Sequence, residues 1–205
     1  LTLSSSCSEL SREARRKALC NFVMSGEFRE VLVGHGGNDD LYLLAAILEL
    51  AKIELLELLA ISIRVIYNIS CEVSNPVYAK KFETLAVPQL LIARITHNKF
   101  INGARANNEI KLMCSMAMAN LSFNKDLAKH MILDKSFADA CESVYKLRND
   151  ESLYCINTFL FNISFLEECI EMHDSAAVNV LVDTLSGTLI NCTQLAVASL
   201  TNLSL

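Results

Sequence analysis

The chain has 205 residues, 52% of them hydrophobic and 20% charged, enough apolar material for a sizeable core and too much for a disordered segment. Six glycines and two prolines are about a third of ordinary usage, roughly 12%, which argues against a strand-and-turn protein and for long helices. Eighteen basic against 23 acidic residues give a net charge of −5, without the basic excess of a nucleic-acid binder.

In chain order, the opening Leu-Thr-Leu-Ser-Ser-Ser lacks the charged start and apolar middle of a signal peptide. A first apolar helical segment centres on Ala18-Leu-Cys-Asn21-Phe-Val-Met, preceded by the basic run Arg15-Arg16-Lys17. Val31-Leu-Val-Gly-His-Gly-Gly reads as a glycine turn. The stretch from Leu41 to Ile61 is the most apolar, but Glu49, Lys52, Glu54 and Glu57 exclude a comfortable membrane span. No breaker occurs between Leu41 and Ser70, so either two helices merge there or the numbered sequence joins pieces of a longer chain. The polar segment from Thr96 to Asn108, with Gly103, predicts a loop. Lys111-Leu-Met-Cys-Ser-Met-Ala-Met-Ala-Asn-Leu predicts a helix apolar nearly all round, which belongs between neighbours.

Five segments share one shape: apolar, any residue, Asn, apolar. They centre on Asn21, Asn68, Asn120, Asn162 and Asn202, and the last four place Ser two residues later. The spacings between these asparagines are 47, 52, 42 and 40 residues. A period of roughly 40–47 residues is that of helical repeats that stack because one unit cannot cover its own core.

These segments resemble the third helix of an armadillo repeat, with its A-x-x-A-L-x-N-L-S run. Met116-Ala-Met-Ala-Asn-Leu-Ser-Phe and Leu195-Ala-Val-Ala-Ser-Leu-Thr-Asn-Leu-Ser are close copies. The resemblance implies an all-α, right-handed α-solenoid of four to five armadillo-like repeats. The whole of 1–205 would be one repeat domain, divided near 1–25 (partial), 26–72, 73–124, 125–166 and 167–205. HEAT-type units are the alternative for its divergent parts. The chain starts without Met and stops inside a helical pattern, so a longer parent protein is expected.

In that family the repeated asparagine lines a groove and hydrogen-bonds the main chain of an extended peptide. An amide suits this, having both a donor and an acceptor. The resemblance therefore implies partner binding by Asn21, Asn68, Asn120, Asn162 and Asn202. The competing role is structural: the same asparagines hold adjacent repeats together. Four residues before each Asn, on the same helix face, stand Lys17, Arg64, Met116, Thr158 and Ala198. Import adaptors of this family carry Trp there, and this chain has no Trp. Lys17 and Arg64 make the first half of the groove basic, suited to an acidic or phosphorylated ligand.

No nucleotide-binding glycine loop, zinc-protease or serine-hydrolase motif occurs, so no catalytic residue, metal or cofactor is expected. His35, His97, His130 and His173 are scattered, and the closest ligand-like pair is Cys169 with His173. The eight cysteines form no C-x-x-C and sit mostly in apolar runs, as reduced core residues would. Five N-x-[ST] sequons fall mainly on apolar helices, where glycosylation is not expected. The expectation is a cytoplasmic, non-catalytic scaffold within a larger complex, of cytoskeletal or axonemal type, binding a protein or peptide and neither nucleic acid nor membrane. The alternative is an accessory repeat domain of a regulatory enzyme such as a ubiquitin ligase.

Overall fold

A computed structural model of the chain describes residues 42–52, 56–97, 104–172 and 176–204. Among the described residues there are ten α-helices, one 3₁₀-helix and no strand. They fall into two compact units, Leu1–Ile69 and Ser70–Leu205.

In the first unit, α1 spans Tyr42–Leu50 and α2 spans Leu56–Ser70, its last residue opening the second unit. Leu44, Ile47, Leu48 and Ala51 are buried, a stripe at the spacing of one helix face. The two helices do not merge. Lys52 N–H turns back to the carbonyl of Glu49 at 3.0 Å, tightening the last turn without help from Gly or Pro. The same residues pair through their side chains at 2.6 Å.

The second unit repeats a three-helix pattern. Its first triplet is α3 (Pro76–Thr84), α4 (Val87–His97) and α5 (Ala104–Leu121). Next come α6 (Lys125–Ile132), α7 (Phe137–Tyr145) and α8 (Asp150–Ile163). The last is a 3₁₀-helix (Glu167–Met172), α9 (Ala176–Leu185) and α10 (Ile190–Leu203). Like packs on like: α5, α8 and α10 in one row, α4, α7 and α9 in a second, and α3, α6 and the 3₁₀-helix in a third. Phe82, Leu91, Ile95, Ile110 and Phe159 are fully enclosed between the rows.

Local chemistry explains the first helix of each triplet. Asn75 Oδ1 accepts from Val77 N at 2.9 Å, with Pro76 in the first turn, where its missing N–H costs nothing. Asn124 Oδ1 accepts from Asp126 N and Leu127 N at 3.1 and 3.2 Å. The corresponding residue of the third triplet is Leu166, which has no capping oxygen, and only a 3₁₀-helix follows. The expected loop from Thr96 to Asn108 is shorter than the sequence suggests. Helix α4 runs to His97, and Ala104–Asn108 already belong to α5, whose exposed start carries an Arg105–Glu109 pair one turn apart.

Among the described residues two that are not glycine adopt left-handed backbone angles, Ala86 (φ 53°) between α3 and α4, and Arg148 (φ 55°) between α7 and α8. Arg148 is compensated: its Nη1 donates to Tyr145 Oη at 2.8 Å, and its guanidinium lies 4.2 Å from that ring's centre. Ala86 has only a methyl group. Ala86→Gly is therefore expected to stabilise the fold by about 0.5–1 kcal/mol, relief of left-handed strain exceeding glycine's extra entropy in the unfolded chain. Urea denaturation would measure it, and an unchanged or lower midpoint would mean that the turn carries no strain.

Candidate functional site

Helices α5, α8 and α10 carry Asn120, Asn162 and Asn202 near their C-terminal ends. Asn120 Nδ2 donates to Ser70 Oγ at 2.9 Å, Asn162 Nδ2 to Ser122 Oγ at 2.8 Å, and Asn202 Nδ2 to Ser164 Oγ at 2.9 Å. This is one bond made three times. Each asparagine reaches back to the serine that stands two residues after the preceding asparagine. The serine is oriented to receive it: Ser122 and Ser164 hydroxyls donate to the carbonyls of Ala119 and Phe161, both at 2.7 Å, leaving lone pairs for the amide. Asn120 Nδ2 also lies 3.4 Å from Cys71 Sγ.

The bond uses only the donor half of each amide. Asn120, Asn162 and Asn202 are half-buried, and no donor among the described residues meets their Oδ1 atoms. On the same face, four residues earlier, Met116, Thr158 and Ala198 are half-buried, and Thr158 Oγ1 has no hydrogen-bond partner among the described residues. Phe123 and Phe165 directly follow Ser122 and Ser164 and are 68% and 62% exposed. Phe165 stacks edge-on against Phe161, ring centres 5.0 Å apart.

Asn68 is half-buried and Arg64 exposed on α2, in the first unit. Asn21 and Lys17 lie outside the described residues, as do the glycine turn at Gly34–Gly37 and His173. What the sequence reading missed is the role of Ser70, Ser122 and Ser164 and of the two phenylalanines. The signal was in the motif itself: Asn-Leu-Ser-Phe at 120–123 and Asn-Ile-Ser-Phe at 162–165.

The first-helix row is joined by an imidazole–carboxyl contact and an ion pair instead. His130 Nε2 lies 3.5 Å from Glu83 Oε1, between α6 and α3, and Lys129 pairs with Glu168 of the 3₁₀-helix. Hydrogen bonding from Lys129 holds the Glu168 carboxyl below its usual range, and Lys80, then His130, does the same for Glu83. A lowered folded-state pKa stabilises above the unfolded value and is lost as pH falls through the folded one. Glu168→Gln is thus expected to lower the melting temperature slightly at neutral pH and to equal the parent in acid, once the carboxyl is protonated in the folded state too. A gap that persisted in acid would show that the pair contributes nothing.

An open recess of about 460 Å³ lies between the starts of α8 and α10, lined by Asp150, Tyr154, Ile190, Asn191 and Cys192 among others. The six described cysteines form no disulfide with one another, and all but Cys71 are buried. Burial pushes the thiols of Cys114 and Cys141 well up and that of Cys155 up to about 11, so they remain neutral and weakly nucleophilic at ordinary pH. Among the described residues no three His, Cys, Asp or Glu side chains gather as a metal site, and no helix is long and apolar enough to cross a membrane.

No protein-family model and no curated protein matches the chain. Solved structures do. Two are crystal structures of engineered proteins from the Northeast Structural Genomics Consortium. One is 14% identical, covering 96% of this chain and 93% of the other, with a TM-score of 0.54. The second is 16% identical, covering 96% and 91%, with a TM-score of 0.51. A third is a designed armadillo repeat protein in complex with the peptide (KR)4, 12% identical over 93% of this chain and 92% of that one, with a TM-score of 0.50.

Proposed function

This chain has the armadillo-repeat fold, and from that premise we propose that it is a non-catalytic protein-interaction module whose third-helix face receives an extended polypeptide. The observation that carries this reading is the divided use of each amide. The Nδ2 groups of Asn120, Asn162 and Asn202 join neighbouring repeats, while their Oδ1 atoms meet no donor among the described residues. Acceptors repeated along a helical stack suit the N–H groups of an extended main chain, so modest contacts accumulate over several repeats. Phe123 and Phe165 add exposed aromatic area beside them, the residue type that anchors interfaces. In the first unit, taken by itself, Arg64 is exposed on α2 and suits an acidic ligand segment. The two roles of the asparagines are then not alternatives, because one amide fills both.

A ligand selected from a random-peptide display library provides the probe. Replacing Asn120 and Asn162 together by Ala is expected to weaken its binding about tenfold or more, two hydrogen bonds of about 0.5–1.5 kcal/mol each. Replacing Ser122 and Ser164 by Ala removes inter-repeat bonds but leaves the Oδ1 acceptors, and should lower the melting temperature with little change in affinity. If both pairs of variants weakened binding equally, or the library yielded no ligand, the groove reading would be wrong.

A further inference from the structure

The row of third helices does not end as it runs. Aligning α10 with α8 through Asn202 and Asn162 pairs Val197 with Asn157, Leu200 with Leu160 and Ser204 with Ser164. Asn157, Leu160 and Ser164 are buried, as are the matching Ser115, Met118 and Ser122 of α5. On α10, Val197 is 52% exposed, Leu200 half-buried and Ser204 exposed. The second-helix row behaves alike. The burial patterns of α9 and α7 match, Ala177, Val180, Leu181 and Thr184 against Phe137, Ala140, Cys141 and Val144. That match pairs Leu185, 41% exposed, with buried Tyr145.

A terminal cap of a helical-repeat protein presents a polar outer face. The edge of α9 and α10 instead leaves Val197, Leu200 and Leu185 partly exposed, Leu200 at a position where Leu160 and Met118 are apolar and buried in the interior repeats. It also keeps the oriented acceptor: Ser204 Oγ donates to the Thr201 carbonyl at 2.8 Å, as Ser122 and Ser164 do to theirs three residues back. At Ser70, Ser122 and Ser164 the remaining lone pair takes an asparagine amide from the next repeat.

We propose that this edge is a docking surface for one more three-helix repeat in continuation of the stack, whose third helix sets an asparagine amide on Ser204 Oγ and whose apolar side covers Val197, Leu200 and Leu185. The proposal extends the junction already seen between α8 and α10 and is independent of groove binding. The partner is defined by its chemistry: a second and third helix, apolar toward this edge, with an amide near the end of the third.

The experiment appends a second copy of residues 166–205 after Leu205 and compares the extended protein with the parent by hydrogen exchange and thermal melting. Amides near the end of α10 are expected to exchange on the order of tenfold more slowly in the extended protein, whose melt remains one transition at a higher temperature. Ser204→Ala should reverse part of that gain in the extended protein and leave the parent's melting temperature unchanged. Val197→Glu should abolish the gain while the parent still folds. An appended copy that stays unprotected while the rest folds would overturn the proposal. So would a parent that light scattering shows to be a dimer with this edge already protected, the occupant then being a second copy of the same face.

Discussion

Phe159→Ala is expected to lower the melting temperature of this protein by roughly 6–20 °C, a loss of about 3–5 kcal/mol. Phe159 is 1% exposed on α8 and meets Phe137 of α7 with ring centres 5.5 Å apart. It therefore joins the second and third helices of the middle triplet. Truncation removes a large buried side chain, leaves a cavity that helices fixed by neighbours on both sides cannot easily close, and strips Phe137 of its aromatic partner. In a stack whose stability is a sum of repeat and nearest-neighbour terms, damage at the centre weakens two junctions at once. Phe123→Ala is the control. It deletes the same side chain where it is 68% exposed, and should change stability by no more than about 0.5 kcal/mol. If the two variants melted together, the burial pattern described here would be wrong.

The stacked architecture was legible because its signal is local. Each third helix repeats the same apolar positions around Asn120, Asn162 and Asn202, and a period near 40 survives even where little else does. Element boundaries were less so. Ala104–Asn108 is polar and looks like loop, yet nothing in Ala-Arg-Ala-Asn-Asn breaks a helix, and α5 simply extends through it. The gap between α1 and α2 could not be found by searching for Gly or Pro, since a backbone bond at Lys52 closes the turn without either. The shrinkage of the third triplet's first helix rests on one residue, Leu166 in the place of Asn124, too small a change to read without the cap geometry beside it. The site was half legible. Sequence alone offered binding and bracing as rival roles for the asparagines. It could not identify the serine that receives them, because donor and acceptor are 50, 40 and 38 residues apart and the bond crosses from one repeat to another.

That bond supports the second large expectation. Replacing Ser70, Ser122 and Ser164 together by Ala should cost about 2–4 kcal/mol, each change removing one acceptor from a half-buried amide, at about 0.5–1.5 kcal/mol. The three bonds share no partner, so their costs should be close to additive, and any gain from alanine's helix propensity is limited to a few tenths of a kcal/mol at these helix ends. The attribution is checked by a double-mutant cycle on Asn162 and Ser122. Once Asn162 is Ala, Ser122→Ala should cost almost nothing more, a coupling of about 1 kcal/mol. Acid sharpens the distinction, for these groups carry no charge. The serine variants should lose the same stability at neutral pH and in acid, whereas the Glu168 pairing fades only as the pH falls through its lowered carboxyl pKa. A coupling indistinguishable from zero would leave the asparagines without their bracing role, and the repeated Asn-x-Ser would then need another explanation.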